Sequence, residues 1–584
     1  MTTIQPPIST SPLSASLAFF ARRARLLLQD PSLFATGGVL LFLAWLILYP
    51  LFWLFYGSFA YGEQGLGEIV AQLRALPGLP RALYDTAFVI AGTLPLAFAF
   101  ALPLAWIAAR TDTPLRGLIE MTALMPFITP PLIGAVAWSL LAAPRTGFIN
   151  VMARNLTGAA DPVVDIYTRP GVIFVMGLYL SSYVFITVKA VMERMDAAFE
   201  DASRIAGGSL LRTIWHVVLP LSLPALLSAG ILVFVNALEE FAIPGLLGAP
   251  GGIFTITTFI YYHAISYLPP RYGVAAVLAI VIMVLTGLAF VLQARVLAGG
   301  RSFTTVAGRG YRPRRMRLGR WRYVTLVYAL VYFSLTVGLP YLVLIYGAFI
   351  KTWGLVPTFA NLTWTNFVAT FEVSPVVVAG LRNSLILALS GATAASLLTA
   401  VIGYVVVKNK VPALAAAIDF LSTIPLTMSG PVIAVALLWA YISPPFMLYG
   451  TLWILGIAYV TRYLPYGVRT VTGSLRQVSV ELEHAAAVCG ASRLAEFRDI
   501  LFPLVRPGIL AGWMLMFVSM MRELSASIFL YTPGTETTAV ALFNLWEEGN
   551  FSYLSVLALL FVAISVTVLA IVQRLFATGV REVY

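Results

Sequence analysis

Residues 196–226 read DAAFEDASRIAGGSLLRTIWHVVLPLSLPAL, and residues 479–510 read SVELEHAAAVCGASRLAEFRDILFPLVRPGIL. A shift of 283 positions lays one stretch on the other, pairing Asp196 with Ser479, Ala202 with Ala485, Gly207 with Gly490, Ser209 with Ser492, Val217 with Ile500, Pro220 with Pro503 and Pro224 with Pro507. The register continues through Phe234 and Phe517, Val235 and Val518, and Glu240 and Glu523. Farther upstream a shift of 298 pairs Thr86 with Ser384 and Pro114 with Pro412. The difference falls in a loop that is long in the first copy (about 143–170) and short in the second (about 443–452). The chain is a tandem duplication, and repeats of this length usually build one pathway between two copies.

Around the repeated stretch the sequence is oily. Of 584 residues 60% are hydrophobic and 11% charged, against roughly 25% charged in soluble domains. Crossing a hydrocarbon core of about 30 Å takes about 20 mainly apolar residues in a helix, which satisfies its own backbone hydrogen bonds. Such runs lie near 36–59, 86–109, 119–142, 171–192, 221–245, 273–297, 323–350, 383–407, 415–442, 453–472, 505–530 and 553–577. The expected fold is therefore an all-α polytopic membrane protein of about twelve spans, arranged as two parallel six-helix repeats. The expected organisation is an N-terminal arm (1–35), a first six-helix unit (36–297), an arginine-rich linker (298–322), a second unit (323–577) and a short tail (578–584). The first apolar run is too long for the core of a cleaved signal peptide and is read as a retained helix.

Charge orients the chain. Of 37 Lys and Arg residues, eight fall in odd-numbered loops and two in spans, leaving 27 in the arm, the even-numbered loops and the tail. Both termini are expected in the cytoplasm of a bacterial inner membrane. The segment Arg301–Arg322 holds eight arginines and no acid. Beside hydrophobic spans such basic loops suit anionic lipid, so lipid rather than nucleic acid is the expected partner of the +12 charge. Cys489 is the sole cysteine and His216, His263 and His484 the only histidines, which excludes an intramolecular disulfide and leaves no compact Cys/His metal constellation.

Each repeated stretch begins with an N-cap residue, Asp196 or Ser479, and places acids in the first turn, where the helix dipole favours them (Glu200; Glu481 and Glu483). Small residues follow, then a glycine that can end the helix with positive φ. A second short helix is expected to run to Leu219-Pro220 or Phe502-Pro503, with proline opening the next span. An amphipathic helix that merely joins two spans would also fit, but explains neither the glycine spacing nor the duplication.

The two stretches resemble the EAA loop of ABC importer permeases of the type I class, roughly E-A-A-x-x-x-G, nine residues, then I-x-L-P. The resemblance implies a coupling helix docking on an ATPase, carried by Asp201, Ala202, Ser203, Gly207, Leu219 and Pro220 in the first loop and by His484, Ala485, Ala486, Gly490, Phe502 and Pro503 in the second. Asp201 and His484 replace the usual glutamate, Ser203 the second alanine and Phe502 the leucine, so coupling could be asymmetric. It further implies two copies of an ATP-binding subunit at the cytoplasmic face, a periplasmic or extracellular solute-binding protein, and alternating access between the halves.

The four lysines, Lys189, Lys351, Lys408 and Lys410, never follow glycine, so the chain lacks a phosphate-binding G-x-x-x-x-G-K-[ST] loop. ATP and Mg are expected on the partner, with no cofactor and no catalytic residues here. Charges at membrane depth invite attention: Glu239, Glu240, Arg462, Arg522 and Glu523 either pair to bridge helices or line and gate the pathway. The segments LEEFAIPGLLG and RELSASIFLYTPGTETTA also resemble the ferric-iron permease branch, which implies ferric iron as cargo. Thiamine, phosphonates, sugar phosphates or polyamines are the alternatives within the same architecture. An ion-coupled secondary transporter would need no cytoplasmic docking helices.

Overall fold

The computed structural model describes residues 31–60, 71, 73–158, 160–196, 198–267, 270–299, 316–355, 358–409 and 411–581. Most of the arm and most of the arginine-rich linker lie outside them. Among the described residues the chain is helical, with two isolated bridges and no extended strand.

Among the described residues nine helices are long and apolar enough to cross a bilayer. They are α1 (Thr36–Ser58), α2 (Leu79–Arg110), α4 (Arg169–Arg194), α5 (Ile214–Glu239), α6 (Tyr272–Leu297), α7 (Trp321–Ala348), α8 (Pro375–Lys408), α11 (Phe497–Met521) and α12 (Phe551–Arg574). Two bent pairs add α3 (Arg116–Ile128 and Pro131–Ala142) and α9 (Pro412–Thr427 and Gly430–Tyr441). α10 (Leu452–Leu475), 24 residues long, carries Arg462 and Arg469 and is correspondingly less apolar. With it the twelve expected elements are present.

Two expectations need correction. The third and ninth runs are not straight spans but bend by 100° and 108°. The bends fall at Pro130-Pro131 and at Ser429-Gly430-Pro431, where proline removes a backbone donor and pushes the preceding residue out of the helical region. The second arms, Leu132–Ala142 and Gly430–Tyr441, are buried along their whole length. Apolar on every side, they form the centre of the bundle.

The fifth and eleventh spans also begin earlier than expected, and Pro220 and Pro503 do not open them. The helix is continuous from Leu210 to Glu239 and from Arg493 to Met521, with a wider π turn at Ile214–Val218 and Phe497–Leu501. A wider turn just before a proline accommodates its missing donor and bulky ring without ending the helix.

Within each half, equivalent helices pack together: α2, α4 and α5 in the first, α8, α10 and α11 in the second. Equivalent hydrogen bonds follow. Thr86 Oγ1 accepts the N–H of Ile256 and Ser384 Oγ that of Thr538, both at 2.8 Å. The first helix of each half crosses over. α1 packs on the second arm of α9, and α7 on the second arm of α3. Gly57 of α1 sits flat on the Trp439 ring, where a Cβ would come within 2.7 Å of it.

Candidate functional site

Two assemblies gather the residues singled out by sequence. The first is the pair of loops at one end of the bundle. Asp196 Oδ1 accepts the N–H of Ala198 at 2.9 Å, and Ser479 Oγ that of Glu481 at 3.3 Å, so each loop helix (Ala198–Ile205; Val480–Val488) is capped from outside. Both helices end in the same way. Gly207 has φ of 78° and Gly490 of 79°, and the N–H of the next residue bonds back to Ser203 O (2.8 Å) or Ala486 O (3.0 Å). This is a Schellman ending, which only glycine enters without strain. Ser209 and Ser492 then cap the following helices through the N–H groups of Arg212 and Ala495.

The loops present matched faces. Ala202 and Ala485 are exposed, as are Gly207 and Gly490, with open space where a Cβ would lie. Ser203 is half-buried, its hydroxyl 2.8 Å from that of Thr213, and Ala486 is buried. Asp201 is half-buried and His484 exposed. Leu219 is half-buried, whereas Pro220, Phe502 and Pro503 are exposed on the continuous helices.

Sequence reasoning missed what ties these helices down. Arg110, at the end of α2, pairs with Glu200 at 3.0 Å and donates to Met195 O at 2.9 Å. Lys408, at the end of α8, pairs with Glu483. The two offsets that define the repeat, 298 and 283, match Arg110 to Lys408 and Glu200 to Glu483. The signal was present, but the two partners in each pair lie far apart in the chain.

The second assembly lies between the halves, at the middle of α10 and the far ends of α5 and α11. Arg462 of α10 reaches Glu523 at 3.0 Å and Glu239, at the end of α5, at 3.5 Å. Tyr463 donates its hydroxyl to the other oxygen of Glu523, and Ala526 N–H donates to the first at 2.8 Å. The bend in α9 makes room for this guanidinium: a Cβ on Gly430 would sit 2.2 Å from Arg462 Nη1. Glu240 caps its own turn, accepting from the N–H groups of Ala242 (2.9 Å) and Ile243 (3.4 Å). Arg522 donates to Phe127 O at 2.5 Å and to Tyr183 Oη at 3.2 Å, with its guanidinium 5.3 Å from the Phe127 ring centre. The Arg462–Glu239 pair and both Arg522 bonds cross between halves.

A cavity of about 420 Å³ adjoins this cluster, with Tyr183, Asn236, Glu239 and Gln293 from the first half facing Arg462, Tyr466, Arg469 and Arg522 from the second. Gln293 and Arg469 lie within two turns of the loop-side ends of their helices, which puts the cavity on the loop side of the cluster. A smaller space of about 80 Å³ lies across the cluster, against Pro131, Leu132, Ala242 and Ser525. All five charges singled out by sequence are thus brought to one place, Glu240 through the smaller space. The tyrosines, Arg469, Asn236 and Gln293 were not foreseen. Among the described residues no three His, Cys, Asp or Glu side chains are grouped to hold a metal ion.

The two six-helix halves, their central cavity and their paired loops define a duplicated membrane permease, and the chain belongs to the family of binding-protein-dependent transport system inner membrane components, whose sequence model matches residues 94–299 and again 401–582. It is a multi-pass inner-membrane transport permease. The ferric transport system permease protein FbpB of Actinobacillus pleuropneumoniae is 27% identical over 570 residues, 95% of this chain and 80% of that protein. The putative ferric transport system permease protein FbpB 1 of Haemophilus influenzae is 26% identical over 503 residues, 85% of this chain and 77% of that protein. A crystal structure of a bacterial ABC transporter involved in the import of the acidic polysaccharide alginate aligns with a TM-score of 0.39 and 19% identity, over 49% of this chain and 100% of that one.

Proposed function

We propose that this chain is the permease of an ATP-driven importer of ferric iron, with its loop side in the cytoplasm, its termini on that side, and one ATP-binding subunit docked on each loop. ATP and Mg are held by those subunits. A solute-binding protein delivers iron from the opposite face. The observation that carries the reading is the pair of loop helices with the same caps, the same left-handed glycine and the same exposed alanine at the same place in each half. Two identical subunits need two equivalent seats, and a loop that only joined two spans would not need its backbone repeated. The relatives named for ferric transport, which span most of this chain, support iron as the cargo.

The central cluster acts in this reading as the outer gate. Arg462–Glu239 and the Arg522 bonds close the halves together on the outer side of the larger cavity, which corresponds to an inward-facing state. Closure of the ATPases on ATP would drive the loops together and part these contacts; hydrolysis would restore them.

The test is ATP-dependent uptake into vesicles holding this chain with its ATPase and binding protein, offered radiolabelled ferric iron, thiamine, a polyamine or a phosphorylated sugar in parallel. Uptake of iron alone is the expected result. Uptake of an organic solute instead would replace the cargo while keeping the architecture, and ATP-independent uptake by this chain alone would sink the proposal.

A further inference from the structure

The walls of the larger cavity carry three guanidinium groups, Arg462, Arg469 and Arg522, against one carboxylate, Glu239. Arg462 is shared between Glu239 and Glu523, and the half-exposed Arg469 is 3.3 Å from Asp419. Arg522 stands apart. Its hydrogen-bond partners are a carbonyl and a hydroxyl, and among the described residues no carboxylate lies within ion-pairing distance of it. Glu240 and Glu523 line the smaller space on its other side, but neither is ion-paired with it, and a buried guanidinium without a direct ion pair gains from an anion that reaches it. Its planar fork of donors matches the paired oxygens of a phosphate or carboxylate.

Polar groups line the same space: Ser519, Asn236, whose amide also donates to Leu232 O at 2.8 Å, and Gln293, whose amide also donates to Ser228 Oγ at 2.9 Å. The position is also informative. Arg522 occupies the place that Glu239 holds in the first half, and Arg469 the place of Ile186. The positive charge of these walls comes wholly from the second half. A bare or aquated trivalent cation would meet these walls unfavourably, whereas at about 420 Å³ the space takes a far larger body than one ion, since a water molecule occupies about 30 Å³.

We infer that the cavity binds an oxyanion, a phosphate-, phosphonate- or carboxylate-bearing group seated on Arg522 with Arg462 and Arg469 beside it, so that iron crosses as a ferric complex wrapped in anionic oxygen ligands. The anion site rests on the cavity alone; that the anion travels with iron rests on the ferric reading above.

The experiment has two arms. Equilibrium dialysis of the purified full complex with ³²P-phosphate and ¹⁴C-citrate should show binding that weakens with salt and that Arg522→Gln weakens by roughly tenfold or more, Arg522→Lys lying between. Arg469→Gln, at a half-exposed position that tolerates substitution, should weaken it by a smaller factor. Absence of binding to the unaltered complex, or equal binding to the Arg522→Gln complex, overturns the site. The second arm follows ⁵⁵Fe and ³²P together during ATP-driven uptake. Joint entry is expected, and entry of iron unaccompanied by phosphate or citrate overturns the proposal. Entry of the oxyanion without iron keeps the site and rejects iron as cargo.

Discussion

The two halves agree at the loops and disagree at the charged cluster between them. Gly207 and Gly490 differ by one degree in φ, both loops use the same serine cap, and a basic residue from the second helix of each half holds an acid of each loop helix. On α4 and α10, and at the far ends of α5 and α11, equivalent positions are Tyr179 and Arg462, Leu180 and Tyr463, Ile186 and Arg469, Glu239 and Arg522. In the proposed importer, duplicated structure would be kept where two copies of one partner must be seated and lost where one cargo passes a single pathway. Glu240 and Glu523 mark the border: both cap the turn after their helix, but only Glu523 also takes an arginine from α10.

This contrast can be broken most severely at the glycines. Gly207→Pro and Gly490→Pro should each lower ATP-driven uptake by roughly tenfold or more at equal membrane abundance, since proline cannot adopt the positive φ and coupling energies are commonly about 1–3 kcal/mol. Similar losses from both would mean two equal seats; a much smaller loss from one would assign coupling mainly to the other. At the centre, Arg462→Leu leaves Glu239 and Glu523 without their shared cation, at a cost of about 3–5 kcal/mol. Thermal unfolding in detergent should show it, and Arg462→Leu combined with Glu523→Leu should recover part of the loss. No recovery would mean that Glu239 or Tyr463, not Glu523, bears the strain.

The tie between loop and span gives a finer test. Glu200→Ala removes the ion pair of Arg110, whose side chain is 1% exposed and which keeps its bond to Met195 O, whereas Glu483→Ala removes that of Lys408 at 17%. The first should approach the same 3–5 kcal/mol, the second nearer about 1 kcal/mol because water reaches the lysine. Equal effects would show that burial does not set the difference. At the same small scale, Thr86→Val and Ser384→Ala each remove one matched hydrogen bond and should cost about 1 kcal/mol apiece. Unequal losses in the same unfolding assay would indicate that the halves differ at this face too.

Much of this was legible in the sequence. Glycine spacing, caps and apolar runs are local signals, and two copies of each make them readable. Glu239, Glu240, Arg462, Arg522 and Glu523 stood out because charge is rare at membrane depth. What was not legible depends on geometry beyond a single run. The bends in α3 and α9 lie inside continuous apolar stretches, where Pro130-Pro131 and Gly430-Pro431 were visible but hydropathy counts them as no interruption. The π turns before Pro220 and Pro503 insert a single residue and leave the apolar pattern nearly unchanged. Arg110 finds Glu200, and Lys408 finds Glu483, only once α2 and α8 have been laid against loops far downstream. Tyr183 and Tyr466 look like ordinary core aromatics until the cavity between the halves exists.

The crossing of α1 onto α9 sets a schedule for assembly. Gly57 cannot meet Trp439 until the second arm of α9 has been made, ~370 residues after α1 ends. At roughly 5–20 residues per second of synthesis, α1 spends on the order of 20–75 s in the bilayer facing lipid where its protein neighbour belongs. A helix of this kind must be content in two environments, first hydrocarbon and then protein. Gly57 suits both, since it has no side chain to place in lipid and leaves room for the Trp439 ring when it arrives. The first unit is therefore not finished when its sixth span is inserted, and release of a chain truncated in the linker would leave α1 with its docking face open to whatever small-residue surface drifts past.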